Sequence, residues 1–333
     1  MKTKRNYLNR NYPFWVLAMT ILLVSCSGDD ATSIEMDNVI PKNETLSLTV
    51  VEATPNANFT ARTGHEAVFF DDKLWILGGS TSNATNEIWN SSDGVNWAQP
   101  LIEDTEIFPK RFFHEAVVFD NKIWIIGGSG ENGFLNDVWT SDNGTDWKQV
   151  VGGVGTTQFP VRGEHTVTVF NNKLWVIGGV TNGAVKLNDV WSSESGGNWQ
   201  LESDNAAFGS RNFHQAADFD GKLWVIGGLD ENENPLNDVW GSEDGIAWTE
   251  ETFNANFSKR FGHRVLTFEN KLWTIGSAAT DDIWYSEDGI SWTDVTPVNS
   301  YPARNNFASL VFDEKLWIIA GAAKNDVWYF NID

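Results

Sequence analysis

The stretch Arg211–Trp248, RNFHQAADFDGKLWVIGGLDENENPLNDVWGSEDGIAW, decides the fold because the chain writes it six times in similar form. Self-similarity at a period of roughly 50 residues is typical of a radial array of blades or of a solenoid. The six copies span residues 62–333 and predict one large domain. The first Arg of each copy falls at spacings of 49, 51, 49, 49 and 44 residues: Arg62, Arg111, Arg162, Arg211, Arg260 and Arg304.

Four strand signals, here labelled a to d, recur in each copy. Strand a is an alternating apolar run such as Arg111–Phe119, and a turn of Asp, Asn or Gly follows it. Strand b ends in a glycine pair, as in Lys222–Gly228, which lets a neighbouring group approach closely. Strand c contains Asp238–Trp240 or its equivalent, and strand d carries Trp248. Short links between four strands predict an antiparallel meander, the architecture of a propeller blade.

These residues also carry a resemblance. The glycine pair, the Asn-Asp-Val-Trp segment and the Trp eight residues later resemble the kelch repeat over residues 44–333. That resemblance implies an all-β fold, a six-bladed β-propeller of four-stranded antiparallel blades. The sequence departs from the pattern at Gly276-Ser277 and Ala320-Gly321, where the glycine pair is incomplete. The turn in Ser286–Trp292 resembles a shortened Asp-box of sialidases, which implies turn chemistry and no sialidase activity.

The last copy lacks its fourth strand. Copies one to five carry three Trp each, whereas the sixth carries only Trp317 and Trp328. Near the N-terminus, TPNANFTAR (Thr54–Arg62) parallels TFNANFSKR (Thr252–Arg260), which follows the fourth strand of another copy. We therefore predict that Leu46–Ala53 supplies the missing strand and closes the ring, which leaves no frayed blade edge.

The N-terminus is typical of an export signal. Its apolar run Phe14–Val24 is too short for a stable bilayer-spanning helix and suits a secretory signal. Leu23–Cys26 resembles the lipobox of bacterial lipoproteins, in which the Cys is acylated and becomes the first mature residue. Ser27–Asp30 resembles the export signal of Bacteroidota surface lipoproteins. Four basic residues precede the run: Lys2, Lys4, Arg5 and Arg10.

We therefore expect a lipoprotein signal peptide over residues 1–25, lipidation of Cys26, an acidic tether over 26–43 and the propeller over 44–333. A plain signal peptide with an incidental Cys is the alternative. The expected location is the outer membrane, lipid-anchored and exposed at the cell surface, because acyl chains anchor a protein durably.

Charge and cysteine content restrict the partners. A formal net charge of −22 repels phosphate backbones, so we expect no nucleic acid partner. The single Cys excludes an intrachain disulfide framework and a Cys-based metal cluster. The loop Asp230–Asn234 has oxygen ligands at alternate positions but lacks the Gly and distal Glu of an EF-hand. We expect a solvated loop, no metal, no cofactor and a monomer.

Strand alternation separates two faces of the propeller. The a–b and c–d turns lie on one face, and they are short and nearly identical in every copy. The b–c and d–a loops lie on the other, and they vary, as in Ser129–Asn136 and Leu229–Asn237. Functional loops concentrate where a rigid scaffold permits variation. We therefore predict the binding face there, with the start of strand a at its central mouth.

The repeated Arg and the His three residues later allow two interpretations. They form a basic collar that binds carboxylates or sulfates, or they tie one blade to the next. Sixfold repetition favours the tie, whereas the resemblance favours the collar, since kelch propellers that bind acidic peptides use arginines at this strand position. All five His of the protein belong to this series, with Phe307 in the sixth copy: His65, His114, His165, His214 and His263.

The two residues after each Arg are more informative, because they differ between copies. Aromatic, amide and carboxylate groups at a mouth suit a carbohydrate or peptide ligand, although loop drift explains them equally. Asp218 stands where the other copies are mostly apolar and is a further candidate. Besides the six Arg, the predicted ligand site comprises Phe112, Phe113, Glu164, Asn212, Phe213, Asp218, Phe261 and Asn305.

Two functions remain open. The favoured one is a non-catalytic surface lipoprotein that binds a glycan or a protein through the variable face. The alternative is a carbohydrate-active enzyme, since some exported six-blade kelch proteins isomerise sialic acids as epimerases or mutarotases; Glu164 and Asp218 are then the acid/base candidates. Copper-radical oxidation, known for another kelch family, needs a Cys–Tyr cofactor that the mature domain does not provide. No nucleophile–base spacing, phosphate loop or HExxH pattern occurs.

Overall fold

Six antiparallel sheets surround one axis, and the predicted six-bladed β-propeller is confirmed. The computed structural model describes residues 46–102, 107–150 and 157–333. The predicted signal peptide and tether lie outside these residues. Blade one comprises β2 (Glu66–Phe70), β3 (Lys73–Leu77) and β4 (Ile88–Ser91). Blade two comprises β5 (Arg111–Phe112), β6 (Glu115–Phe119), β7 (Lys122–Gly130), β8 (Gly133–Ser141) and β9 (Trp147–Gln149). Blade three comprises β10 (Thr166–Phe170), β11 (Lys173–Thr181), β12 (Val185–Ser193) and β13 (Gln200–Ser203). Blade four comprises β14 (Gln215–Phe219), β15 (Lys222–Leu229), β16 (Pro235–Ser242) and β17 (Thr249–Thr252). Blade five comprises β18 (Arg264–Phe268), β19 (Lys271–Ile275), β20 (Ile283–Ser286) and β21 (Thr293–Asp294). Blade six comprises β22 (Ala308–Phe312), β23 (Lys315–Gly321) and β24 (Lys324–Ile332), together with β1 (Leu48–Thr54) from the N-terminal end.

The a–b turns explain the register of each blade. Every such turn has two central residues with positive φ, as at Asp120 (48°) and Asn121 (55°). This is the type I′ geometry, whose twist matches that of the flanking strands. The turn pairs Phe119 with Lys122, and this pairing fixes the register of strands a and b in blade two.

Tryptophans of strand b join each blade to the next. The Trp75 indole Nε1 donates to the carbonyl of Phe70 at 2.9 Å, which holds the ring at the end of strand a. The outer edge of the ring then lies against Gly144 in the c–d turn of blade two, where an added Cβ would stand 2.5 Å from the indole. The glycine of the Ser-x-Asp-Gly turn is therefore required by packing as well as by its positive φ. Six apolar clusters, one at each blade junction, form the core.

The ring closes as predicted from the missing strand. Strand β1 pairs antiparallel with β24, from Leu48↔Ile332 to Thr54↔Val327, and so completes blade six. The strand begins two residues after the predicted Leu46 and ends one residue after Ala53.

Blade one departs from the predicted four strands. Its fourth strand is reduced to a single bridge, Asn90↔Ala98. Pro100 follows two residues later and has no N–H to extend the ladder, which ends the pairing there. Trp97 nevertheless stays buried against Phe59, with ring centroids 5.4 Å apart.

Candidate functional site

The six repeated arginines are buried, with 0–2% of each residue exposed. Arg162 is representative: its Nη1 donates to the Gly178 carbonyl at 2.8 Å and to Asp189 Oδ1, and its Nη2 donates to Asp189 Oδ2 at 2.7 Å. The same Asp189 accepts from Trp191 Nε1, which explains the Asp-Val-Trp segment. The carboxylates that pair with the six Arg, in chain order, are Glu87, Asp137, Asp189, Asp238, Asp282 and Asp326.

The backbone of each of the first five Arg reaches the preceding blade. Arg162 N donates to the Leu135 carbonyl at 2.9 Å, and the Arg162 carbonyl accepts from Gly128 N at 2.8 Å. Each of these five Arg thus joins two blades, by its backbone on one side and its guanidinium on the other. This geometry supports the tie between blades, and it leaves these guanidinium groups without the exposure that a basic collar needs.

The histidines pack as neutral wedges between blades. His114 is 1% exposed, and burial lowers its pKa well below the usual value, with the charge of Arg111 acting in the same direction. A Cβ added to Gly78 of the preceding blade would stand 2.9 Å from the His114 ring, and one on Gly128 would stand 2.6 Å from its Cβ. The glycine pair of strand b therefore makes room for two imidazoles. In blade six Phe307 takes the place of the His, and the glycine pair is incomplete in strand b of both blade five and blade six, which flank Phe307.

Backbone hydrogen bonds encircle the central mouth. The second residue after each Arg has a positive φ, and its N–H donates to the carbonyl of its equivalent in the preceding blade at 2.8–3.0 Å. The six bonds form an unbroken cycle, which we call the amide ring. Its members are Gly64, Phe113, Glu164, Phe213, Gly262 and Asn306. These six backbone segments therefore frame the central mouth on this face.

Four phenylalanines form an arc on the amide ring. Phe113 covers Gly64, where an added Cβ would stand 2.6 Å from the ring carbon. Its centroid lies 4.9 Å from that of Phe112 and 5.1 Å from that of Phe213, edge to face. Phe213 in turn lies 6.3 Å from Phe261. The structure therefore brings together the predicted aromatic residues. Asn305, half-buried, lies beside Gly262 and accepts from Ala322 N at 3.2 Å.

A cavity of about 370 Å³ opens beside this arc between blades three and four. Phe134, Phe213 and Val180 supply its apolar wall. On the polar side, Asn212 Nδ2 donates to Glu164 Oε2 at 2.6 Å, and Asn212 Oδ1 is buried with no hydrogen-bond partner. Burial raises the pKa of Glu164 above its usual value, against the opposing effect of the Asn212 hydrogen bond. We call this cavity the blade 3–4 pocket.

Its cationic group comes from the b–c hairpin of blade three. Lys186 lines the pocket with only 5% of its side chain exposed, and its Nζ lies 2.8 Å from Glu233 Oε1. Lys186 was not predicted from the sequence, because it lies outside the repeat positions around the Arg.

Asp218 does not lie at this mouth. It pairs with Leu223 one step before the a–b turn, so it stands at the opposite end of strand a from Phe213. Five residues of strand separate the two, about 16 Å at 3.3 Å per residue. The prediction that placed Asp218 in the mouth is therefore corrected: strand a carries it to the other face. Glu164 and Asp218 do not form an acid/base pair.

The calcium-like loop satisfies its own backbone. Asp230 Oδ1 accepts from the N–H groups of Asn232 and Asn234, both at 2.8 Å. Within the described residues no group of three or more His, Cys, Asp or Glu side chains is placed to hold a metal ion.

A polar tier inside the axial channel, formed by the residue after each His, was also not predicted. Glu66, Glu115, Gln215 and Arg264 line a cavity of about 30 Å³ beside the amide ring. Charged residues at the start of otherwise apolar strands were the available signal.

Comparison with known proteins gives one family match. A model described as the KLHDC2/KLHL20/DRC7 Kelch-repeats domain matches residues 17–200, more than half of the chain. No curated protein matches the chain. No helix within the described ranges is long and apolar enough to cross a membrane.

Proposed function

This chain belongs to the kelch-repeat family, and from that premise we propose that it is a non-catalytic binding module whose ligand is a glycan held in the blade 3–4 pocket. The observation that carries the proposal is the combination of two phenylalanines with an amide, two carboxyl groups and an ammonium group in one cavity. Ligand sites are concave, mostly apolar and fitted with a few placed polar groups. The volume of about 370 Å³ suits one or two sugar units rather than a protein surface.

The polar atoms support a hydroxylated ligand. Asn212 and Glu164 place an amide and a carboxyl side by side in the pocket wall, and such groups exchange hydrogen bonds with sugar hydroxyls. Phe213 is half-buried and lines the pocket, so it supplies an apolar contact for the apolar side of a sugar ring. Lys186 and Glu233 hold each other, so they contribute hydrogen bonds without a large net charge.

The geometry favours binding over the isomerase alternative. The two carboxylates that sequence analysis nominated for acid/base work lie at opposite ends of strand a. Glu164 already accepts a hydrogen bond from Asn212. The other titratable residues that line the pocket are Lys186 and Glu233, and these are paired with each other. The pocket therefore offers Glu164 no free partner for proton exchange through a bound sugar.

We expect the purified propeller to bind members of a panel of neutral oligosaccharides and sialosides without turnover. Phe213→Ala and Asn212→Ala should each raise Kd at least tenfold, which corresponds to about 1.4 kcal/mol. Ile246→Ala is the control, because Ile246 is 49% exposed in a c–d turn on the other face. The measurement is calorimetric titration with product analysis.

Three outcomes would contradict the proposal. Unchanged saccharide affinity in Phe213→Ala would remove the ligand from this pocket. Binding of acidic peptides and of no saccharide would assign a protein ligand instead. Conversion of any sialoside would restore the isomerase.

We further propose that acyl chains on Cys26 anchor the protein in the outer membrane, facing the cell exterior. The Leu23–Cys26 sequence and the acidic residues after it support this. Cys26→Ala should abolish incorporation of labelled palmitate and release the protein from the membrane fraction. Retention of the label in that variant would contradict the anchor.

A further inference from the structure

Three Asn–Gly pairs stand on the surface of the propeller, and the local sequence does not distinguish them. They are Asn132-Gly133, Asn143-Gly144 and Asn182-Gly183, and each Asn is exposed. Asn is one of the chemically labile residues of proteins. A following Gly increases that lability, because a residue without a Cβ lets its backbone nitrogen approach the Asn side chain. Whether a pair reacts then depends on how the fold holds that nitrogen and that side chain.

The c–d turn of blade two restrains both reacting groups of its pair. Asn143 Oδ1 accepts from the N–H groups of Thr145 at 2.9 Å and Asp146 at 2.8 Å. Asn143 Nδ2 donates to Asp146 Oδ2 at 2.8 Å. Gly144 is buried, and its N–H donates to Ser141 Oγ at 2.8 Å. The nitrogen that would have to attack the Asn143 side chain is therefore committed to Ser141.

The b–c hairpin of blade two restrains only one of the two groups. Gly133 is the first residue of β8 and pairs with Gly130 across the hairpin. This pairing holds the Gly133 backbone in the strand ladder. Within the described residues no hydrogen bond holds the Asn132 side chain. The Asn132 pair is therefore intermediate.

The b–c hairpin of blade three leaves both groups free. Asn182 and Gly183 lie in the loop between β11 and β12, outside the ladder that ends at the pair Thr181↔Val185. A Cβ added to Gly183 would meet nothing within 4 Å. In the part of the chain that the structure describes, Gly183 N has no backbone hydrogen-bond acceptor and the Asn182 side chain makes no hydrogen bond. Nothing in the fold therefore keeps the Gly183 nitrogen from the Asn182 side chain.

We propose that Asn182 is a site of spontaneous deamidation, and that the fold directs this modification to blade three. The Gly183 nitrogen attacks Asn182 Cγ and loses its proton, the side-chain amide nitrogen leaves as ammonia, and a cyclic succinimide forms. Water then opens either carbonyl of the succinimide, which yields aspartate or isoaspartate. The net reaction consumes water and releases ammonia, so it requires no enzyme and no oxidant.

The modification reaches a wall of the blade 3–4 pocket. Ala184 and Lys186 belong to the same hairpin and line that pocket, and Lys186 Nζ lies 2.8 Å from Glu233 Oε1. Aspartate at residue 182 adds a negative charge to this hairpin, and isoaspartate adds a methylene group to its backbone. The inference does not rest on the proposed glycan, because the reaction depends only on the hairpin.

Incubation of the purified propeller in mildly alkaline buffer, followed by peptide mass spectrometry at successive times, tests the proposal. We expect Asn182 to deamidate at least about tenfold faster than Asn143, a difference of about 1.4 kcal/mol in activation free energy. Asn132 should react at a rate between the two. An isoaspartate-specific methyltransferase should label the peptide that contains residue 182. Equal rates at the three Asn, or the fastest reaction at Asn143, would overturn the proposal.

Two controls separate the effect of the fold from that of the local sequence. In the urea-denatured chain Asn143 and Asn182 should deamidate at similar rates, because the turn around Asn143 is lost. Ser141→Ala removes the acceptor of the Gly144 N–H, so it should accelerate deamidation of Asn143 and leave that of Asn182 unchanged. Asn182 that stays intact in the folded protein while it reacts in urea would refute the proposed site. An unchanged rate at Asn143 in Ser141→Ala would refute protection by the turn.

Discussion

Asp189→Ala is expected to lower the free energy of unfolding by about 3–5 kcal/mol, the cost of leaving a buried charge without its partner. Arg162 has none of its surface exposed and donates to both oxygens of Asp189. The substitution leaves that guanidinium in the core with only backbone carbonyls, and it also removes the acceptor of Trp191 Nε1. Since domains of this kind are stable by about 5–15 kcal/mol, the loss is a large part of the total.

Denaturant unfolding followed by tryptophan fluorescence measures this effect. Glu131→Ala is the control: it breaks the Lys110–Glu131 pair, in which both side chains are more than half exposed, and such surface pairs contribute little. Equal stability of the two variants would mean that the six Arg–carboxylate pairs do not hold the blades.

Deletion of residues 44–54 is expected to lower the thermal midpoint by on the order of 10 °C. The deletion removes β1, whose Leu48 is buried and whose Val50 and Val51 are half-buried against β24. Burial of two or three apolar side chains contributes roughly 3–6 kcal/mol. It also leaves β24 as a free blade edge, so the deleted protein should aggregate more readily.

Differential scanning calorimetry provides the midpoint. A synthetic peptide of residues 44–54 added to the deleted protein should restore part of the loss, because β1 is held in blade six by strand pairing and apolar packing, which are non-covalent. A midpoint equal to that of the full propeller would refute ring closure by β1.

Much of the fold was predictable because its causes repeat. The turn residues, Trp75 and its equivalents, and the glycines that receive them recur at one spacing, and the absence of a last Trp pointed to Leu46–Ala53 as the closing strand. The reduced fourth strand of blade one was not predicted, since the effect of Pro100 depends on which N–H groups face the ladder.

Less of the site was predictable, because strand direction and backbone geometry decide it. Asp218 and Phe213 lie close together in sequence but at opposite ends of strand a. Phe113 and Glu164 were predicted as variable ligand contacts, yet their backbones form the same ring hydrogen bonds as the backbone of Gly64. That common property is a left-handed conformation, which costs about 1 kcal/mol or more for residues with a Cβ and leaves no mark in side-chain type.

The amide ring also makes every blade depend on all the others. Each member bonds its two neighbours in the ring at N···O distances of 2.8–3.0 Å, so removing one blade breaks two of the six bonds. A gene duplication that added a seventh repeat would have to open the circuit and place another left-handed residue in it. The circle is thus closed in the main chain, at positions where the side chains of the six copies differ.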